Sequence, residues 1–445
     1  MKKIVLLLSF SLLLVLSQVT AFAQTTNEII VAIDSVPVEF SEDTGSPFVD
    51  ENYRTLVPFR KALESYGATV EWDNESRIAI AVKDDIKVEV PVDQNYIIVN
   101  GQQKSNDTAA KIVNGRTYLP IRAVIEAFGS SVEWDQSLKT VVITTEPVDA
   151  KALFQKASDK SYEWKNYDAD ILLNMSIPVK DDAGSVQTMN MNMKMYMTIF
   201  MEPSIKVKMN TSLLMDMMGQ EISQPIMDMY MDFNKESFTS YTGMNDGEGN
   251  FTWMKTTYED ELFGDLLKVD EEYINKNKEL AEKYTKDVKY FGKYTVSEET
   301  LLRMQYTMSG EIYNELFGEY INEMSSSENE QDQMTLEMLK GFANGNFGDI
   351  NCIVYINEKT GEIVKYEMDL GNMVKSIMGS MTSMLEEIPA EEMEMLNQMQ
   401  ATMTMNVLNI NQAKDFEIPE EALNAPEMSE VMKELQESTE ATELQ

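Results

Sequence analysis

The sequence predicts an α+β protein in two parts: a duplicated helix–strand–turn–strand unit, then an antiparallel sheet whose apolar face is covered by helices. Three observations support this fold class. The phrase "YRTLVPFRKALESYGATVEWD" at residues 53–73 returns as "GRTYLPIRAVIEAFGSSVEWD" at residues 115–135. Beyond residue 145, apolar and polar residues alternate in one short stretch after another, which is typical of strands. Between these stretches lie segments with apolar residues at helical spacing.

Residues 1–23 have the features of a secretory signal peptide. Lys2 and Lys3 precede an apolar run from Ile4 to Leu16, and Ala21-Phe22-Ala23 has the small-x-small pattern of a cleavage site. We therefore expect the remaining chain to be secreted, either extracellular or associated with the cell wall. No cysteine lies at the cleavage site, so a lipid anchor at that point is not expected.

The composition excludes several classes of function. Histidine is absent from all 445 residues, which rules out Ser-His-Asp triads, three-histidine metal centres and HExxH metalloproteases. We therefore expect no enzymatic activity and no cofactor, and catalysis through carboxylates alone stays open as an alternative. The formal net charge of −38 repels nucleic acid, so nucleic acid is not an expected partner.

Both copies of the repeated phrase have the signals of a short helix followed by two strands. The apolar residues at helical spacing are Phe59, Ala62, Leu63 and Tyr66 in one copy, and Ile121, Val124, Ile125 and Phe128 in the other. Pro58 and Pro120 mark the helix starts, and Gly67 and Gly129 mark left-handed stops. The strands expected in each copy are 69–73 and 78–82, then 131–135 and 140–144. Because one unit cannot bury its apolar face alone, we expect both to pack on a shared sheet in a domain at residues 24–147.

These residues resemble the copper amine oxidase N-terminal-like domain, often called a stalk domain, over residues 27–145. The resemblance rests on the two Arg-Thr, Pro and Trp-Asp phrases and on "VEVPVDQNYIIVNGQQ" between them. It implies a spacer or interaction module of a secreted bacterial protein, with a cell-wall or envelope protein as a possible partner. No catalytic residue comes with the resemblance, because the oxidase binds copper through three histidines.

The second part is rich in methionine, since only Met1 of the 34 methionines lies before residue 145. Met189, Met191, Met193, Met195 and Met197 alternate with polar residues, and so do Met227, Met229 and Met231. Period two places each set on one side of a strand. Similar alternation predicts strands around 173–177, 205–209, 304–308, 364–370 and 403–407. An antiparallel sheet with one apolar face is therefore expected in a domain at residues 150–425, followed by an acidic tail at 426–445.

Helices are predicted over the apolar face of this sheet. The helical stretches run from Glu261 to Lys289, from Glu311 to Met324 and from Asn372 to Gln400. A methionine-lined face under such helices can repack around ligands of varied shape, because the thioether chain is unbranched and flexible. The eight methionines at 189, 191, 193, 195, 197, 227, 229 and 231 are therefore the candidate ligand-binding residues, and no metal site is expected. Two alternatives remain open: a solid methionine core without a cavity, and a Cu(I) site made of thioethers.

The second part also resembles a family of secreted bacterial proteins of undetermined function, related to half-barrel lipoprotein carriers. The resemblance covers about residues 150–424 and rests on strand spacing, the "VYINEKTGEIVKYEMDL" hairpin and the Ile418-Pro419-Glu420-Glu421 ending. It implies an antiparallel half-barrel that holds lipid under a helical lid. The sequence thus predicts a non-catalytic binding protein of the bacterial cell envelope, with an apolar or amphiphilic small molecule or lipid as ligand. A structural cell-wall protein with a solid second core and a Cu(I)-binding protein are the alternatives.

Overall fold

The structure is a computed structural model that describes residues 28–180, 185–202, 204–217, 220–233, 238–258, 271–315, 318, 348–376, 395 and 397–431. Strands make up most of this part of the chain, and the largest element is an eleven-stranded half-barrel sheet. The fold is therefore mostly β. The α+β prediction is confirmed only in part, because fewer of the residues that the structure describes are helical than it implies.

Residues 30–144 form three small sheets and two helices, together called the N-terminal module. Its strands are β1 Ile30–Ile33, β2 Val36–Pro37, β3 Phe48–Val49, β4 Thr55–Pro58, β5 Thr69–Asp73, β6 Ile78–Lys83, β7 Ile86–Pro91, β8 Tyr96–Val99, β9 Gln102–Ser105, β10 Lys111–Val113, β11 Arg116–Pro120, β12 Ser131–Asp135 and β13 Thr140–Thr144. Its helices are α1 Phe59–Ser65 and α2 Ile121–Ala127. The sheet orders are β12-β13-β1-β2, β10-β11-β4-β3 and β5-β6-β7-β8-β9.

The repeated phrases fold as predicted within each copy. Each helix follows its proline directly, and Gly67 and Gly129 adopt left-handed backbone with φ of +90° and +88°. The prediction of one shared sheet for the strands after the helices is wrong, because β5–β6 and β12–β13 lie in separate sheets. The copies meet instead through the strands before the helices, where Val57 of β4 lies opposite Leu119 of β11. These strands are short buried runs, which periodicity alone does not distinguish from the start of a helix.

The half-barrel follows helix α3, Ala150–Ser161, which begins after the capping side chain of Asp149. Its strands are β14 Asn166–Lys180, β15 Val186–Phe200, β16 Ile205–Met217, β17 Gln220–Phe233, β18 Phe238–Asn245, β19 Phe251–Tyr258, β20 Thr285–Val296, β21 Glu299–Met308, β22 Ile350–Asn357, β23 Ile363–Asp369 and β24 Gln400–Leu408. Helix α4, Glu271–Tyr284, precedes β20, and helix α5, Glu420–Leu423, follows β24. All neighbouring strands are antiparallel, in the order β19-β18-β17-β16-β15-β14-β24-β23-β22-β21-β20.

Every strand predicted from alternation is present, whereas the predicted helices need correction. The helix predicted to end at Lys289 ends at Tyr284, because residues 285–296 pair with β21 as an edge strand. The stretch predicted from Asn372 to Gln400 is helical at 371–376, 395 and 397, and Gln400 already begins β24. Residues 377–394 lie outside the described residues, as do most of those predicted helical between 316 and 324.

The N-terminal module lies against the outer face of the half-barrel, opposite the face that bears the core. Val142 of β13 packs with Phe291 and Ile353, and all three are buried. Beside them, the Arg303 guanidinium forms a buried ion pair with Asp135, with 2.8 Å between Nε and Oδ2. Arg303 is 1% exposed and Asp135 0%. The two parts of the chain are therefore joined by a buried interface that contains both apolar and charged side chains.

Candidate ligand-binding site

The antiparallel register arranges the apolar side chains of the half-barrel in rows across one face, called the methionine face. Residues opposite one another in neighbouring antiparallel strands share a face of the sheet. The central row runs through Tyr290, Met304, Val354, Tyr366, Met405, Ile171, Met195, Thr211, Met227 and Met244. The rows on either side are Tyr306, Cys352, Met368, Met403, Leu173, Met193 and Leu213, and Val407, Ala169, Met197, Met209 and Met229.

The structure brings the methionines proposed as ligand-binding onto this one face, but with very different exposure. They are Met189, Met191, Met193, Met195, Met197, Met227, Met229 and Met231. Met193, Met195 and Met227 are buried, with exposed fractions of 0%, 2% and 0%. Met189, near the start of β15, is 43% exposed, so it lies at the solvent-exposed edge of the face. The other four methionines are half-buried.

Helical segments pack on the methionine face within the described chain. Helix α3 places the ring of Phe154 against Tyr306, with 4.6 Å between the ring centroids. Val374, in the helical residues 371–376, is 1% exposed and belongs to the same core. The Tyr313 hydroxyl lies 3.9 Å from the sulfur of Met373. These contacts give a partial helical cover of the kind predicted from the sequence.

A cavity of about 180 Å³ lies between helices α3 and α4 and strand β21. Phe154, Tyr306 and Met308 form its apolar wall, and they belong to the core of the methionine face. Ser158 and Lys278 are on its polar side. The cavity is partly open to solvent. Its walls therefore suit a small group with one apolar and one polar side.

The ionisable groups on the methionine face are held in their neutral forms. Burial raises the pKa of the Tyr306 hydroxyl well above its ordinary value. Burial also raises the pKa of Tyr366, and it raises that of the Cys352 thiol to about 11. In each case the dominant cause is removal from water, which disfavours the charged form. The site therefore suits uncharged ligand groups and offers no reactive thiolate at neutral pH.

Thr211, Cys352 and Phe154 of this face were not named from the sequence, whereas Tyr306 belongs to the strand predicted around 304–308. Strand register joins Thr211, Tyr306 and Cys352 to the rows by linking residues far apart in the chain. Phe154 lies on the face because helix α3 folds back over β21. The alternation around residue 306 was a usable signal for Tyr306. Thr211 continues the alternation of Ile205, Val207 and Met209, and Cys352 alternates with Ile350 and Val354, so the same signal was available for both, whereas Phe154 has no such pattern.

Two kinds of feature are absent from the part of the chain that the structure describes. No group of three or more cysteine, aspartate or glutamate side chains there is arranged to hold a metal ion. None of the helices there combines the length and the apolar character needed to cross a membrane.

The N-terminal module matches a known family. Residues 32–143 match the family model of the copper amine oxidase N-terminal domain, which confirms the resemblance stated from the repeated phrases. The match covers about a quarter of the chain and none of the half-barrel. A search among curated proteins gave no significant match.

Solved structures similar to this chain include two mycobacterial proteins and one from another bacterium. The Mycobacterium tuberculosis lipoprotein LppX has a TM-score of 0.30 and 8% identity, covering 60% of this chain and 98% of LppX. LprF from Mycobacterium bovis has a TM-score of 0.29 and 8% identity, covering 62% and 97%. A DUF1329 family protein from Desulfovibrio piger has a TM-score of 0.18 and 7% identity, covering 59% and 92%. At such scores the likeness says nothing about what this chain binds.

Proposed function

We propose that this chain is a non-catalytic binding protein that holds an apolar or amphiphilic ligand against the methionine face. The observation that carries the proposal is the set of three adjoining rows, in which methionine recurs strand after strand. Methionine fills irregular spaces and changes shape at little cost, so such a surface adapts to an inserted ligand. The raised pKa values of Tyr306 and Tyr366 support an uncharged ligand body.

The cavity beside the methionine face supports the amphiphilic form of this proposal. Its apolar wall, which includes Tyr306 and Met308, continues the core of the half-barrel. Its polar side presents the Glu282 carboxylate and the Lys278 ammonium, and the ammonium lies 5.2 Å from the centre of the Tyr162 ring. A ligand with an apolar chain and a polar end fits these two walls better than a wholly apolar one.

The remaining parts of the proposal concern place and partners. The pattern of residues 1–23 supports secretion to the cell envelope, and the absence of histidine supports a non-enzymatic role. The N-terminal module is proposed to contact a cell-wall or envelope protein, since Asp135 of the second repeat is buried against the half-barrel, whereas its counterpart in the first repeat, Asp73, faces solvent. The domain limits proposed for this arrangement are residues 24–147 and 150–425.

A second candidate is a structural protein with a solid core. The observation that favours it is the burial of Met193, Met195 and Met227, each at most 2% exposed. In a solid core these side chains are close-packed against their neighbours and leave no space for a ligand.

Titration of the full chain with an uncharged environment-sensitive dye, N-phenyl-1-naphthylamine, separates the two candidates. An uncharged dye is chosen because the chain has a net charge of −38. We expect saturable binding that a long-chain alcohol displaces. Met195→Gln places an amide on the methionine face, and we expect it to weaken dye binding by about tenfold while the chain stays folded.

Asn192→Gln is the matched control, because Asn192 lies on the same strand and faces the other way. It should leave dye binding unchanged. In the solid-core alternative, no dye binds, and Met195→Gln lowers the free energy of unfolding by about 1–3 kcal/mol, because the amide is buried with at most one possible partner, the Thr211 hydroxyl on the neighbouring strand. Absence of saturable binding by a folded chain would therefore overturn the proposal.

A further inference from the structure

One polar side chain interrupts the central row of the methionine face. Thr211 of β16 lies opposite Met195 of β15 and Met227 of β17, and it is 1% exposed. Its hydroxyl oxygen is buried and has no hydrogen-bond partner within the described residues. A buried hydroxyl without a partner is unfavourable, so it is rare in native proteins unless another molecule supplies the bond.

Thr211 differs from the other buried atoms that lack a hydrogen-bond partner in the described chain. These atoms are Oδ1 of Asp170 and Oδ1 of Asn174. Asp170 forms an ion pair with Lys194 at 3.6 Å, and the Asn174 amide donates to the Thr402 hydroxyl at 3.0 Å. Each of these side chains therefore has another polar contact, on the outer face. Thr211 lies among thioethers on the face proposed to bind the ligand.

The backbone at Thr211 is also irregular. The pairing of β16 with β17 shifts between Thr211 and Ser212, so that Thr211 faces Met227, Ser212 faces Pro225, and Ile226 is the extra residue. Such a β-bulge re-aims side chains and occurs often beside binding sites. A valine in place of Thr211 would fill the same volume without an unpaired hydroxyl, so shape alone does not explain the threonine.

We propose that Thr211 is a polar anchor for the ligand: its hydroxyl bonds an uncharged hydroxyl or carbonyl group within an otherwise apolar chain. This inference rests on the proposed function, because it names the ligand chemistry of the same face. A charged ligand group does not fit, since the cross-strand neighbours of Thr211 are methionines with 2% and 0% exposure. A neutral group needs only the one hydrogen bond that the threonine hydroxyl can give or accept.

The test compares dodecane with dodecanols that bear the hydroxyl at the end or along the chain, each displacing N-phenyl-1-naphthylamine from the full-length protein. We expect the wild-type chain to bind at least one dodecanol better than dodecane. Thr211→Val should reduce the affinity for that dodecanol by about tenfold and leave the affinity for dodecane unchanged. Thr211→Ser should keep the preference, because it keeps the hydroxyl.

Thr404→Val is the control, since Thr404 lies on the outer face opposite Leu172. It should change neither affinity. If Thr211→Val binds all probes as the wild type does, the anchor is refuted while dodecane binding keeps the proposed function intact. If no probe binds the wild-type chain, the proposed function itself fails. An unfolded Thr211→Val variant would also overturn the inference, because a hydroxyl without a structural bond is dispensable for folding.

Discussion

The buried ion pair between Asp135 and Arg303 should hold the N-terminal module on the half-barrel. Asp135 ends the second repeated phrase, and Arg303 lies on β21. The guanidinium also donates to the hydroxyls of Tyr355 and Ser137, and its Nη1 lies 3.3 Å from Glu367. Burial by itself lowers the pKa of Arg303, but the hydrogen bond and the charge of Asp135 raise it on balance, so the guanidinium stays charged. Removal of either partner leaves a charge in a dry junction.

The expected magnitude follows from this burial. Loss of one partner from a buried pair costs about 3–5 kcal/mol, because the remaining charge is uncompensated. For Asp135→Asn we expect a loss near the lower limit, about 3 kcal/mol, because Glu367 remains as a second anion. For Arg303→Met we expect a loss within the same range. The double variant should lose clearly less than the sum of the two, because it leaves no unpaired charge.

The assay is urea unfolding of the full chain, with the first repeat as an internal control. Asp73 is the counterpart of Asp135, and its carboxylate accepts the same kind of turn bonds from Glu75 and Ser76 but lies in solvent. Asp73→Asn should therefore have a much smaller effect than Asp135→Asn. Equal effects of the two substitutions, or additive losses in the double variant, would refute the reasoning.

Two further predictions concern buried groups elsewhere. Because burial raises the pKa of the Cys352 thiol to about 11 from an ordinary 9.0, the unfolded chain loses this proton first as pH rises. The contribution of Cys352 to stability is thus complete below about pH 9 and declines up to about pH 11, and urea titrations should show a shallower decline in Cys352→Ala. Thiol reagents should also label native Cys352 slowly at neutral pH. Trp134 is half-buried, and its indole donates to the Gln136 side chain at 2.7 Å. Leu119, by contrast, is 0% exposed. Leu119→Ala should therefore lower the free energy of unfolding by about 2–5 kcal/mol and Trp134→Ala by less than about 3 kcal/mol, as measured by thermal or urea unfolding. The reverse order would show that Trp134 packs more tightly than its exposure indicates.

The sequence was informative wherever a single local period decided the structure. The alternating methionines of residues 189–197 predicted β15 and its buried side, because one face of that strand meets the core and the other meets water. The repeated phrase predicted both helices and their glycine stops, because those signals lie within a few residues of one another.

Features that depend on distant partners could not be predicted. Residues 285–289 have no apolar alternation, and they form a strand because β21 offers a free edge. Asp73 and Asp135 occupy identical places in the two phrases, yet only Asp135 meets an arginine, 168 residues further along the chain. Thr211 continues the alternation of its own strand, but only the register of three strands places it between Met195 and Met227.

The position of β24 has a consequence for the order of assembly. This strand is the last of the half-barrel to be synthesised, yet it lies between β14 and β23, in the middle of the sheet. Until it arrives, β14–β19 and β20–β23 are separate ladders, each with an unpaired inner edge. Pairing between segments so distant in sequence is slow, and open edges invite association with other chains. The growing chain therefore completes this core only after residues 400–408 have left the ribosome, and a truncation before residue 400 should yield two aggregation-prone half-sheets in place of a smaller stable fold.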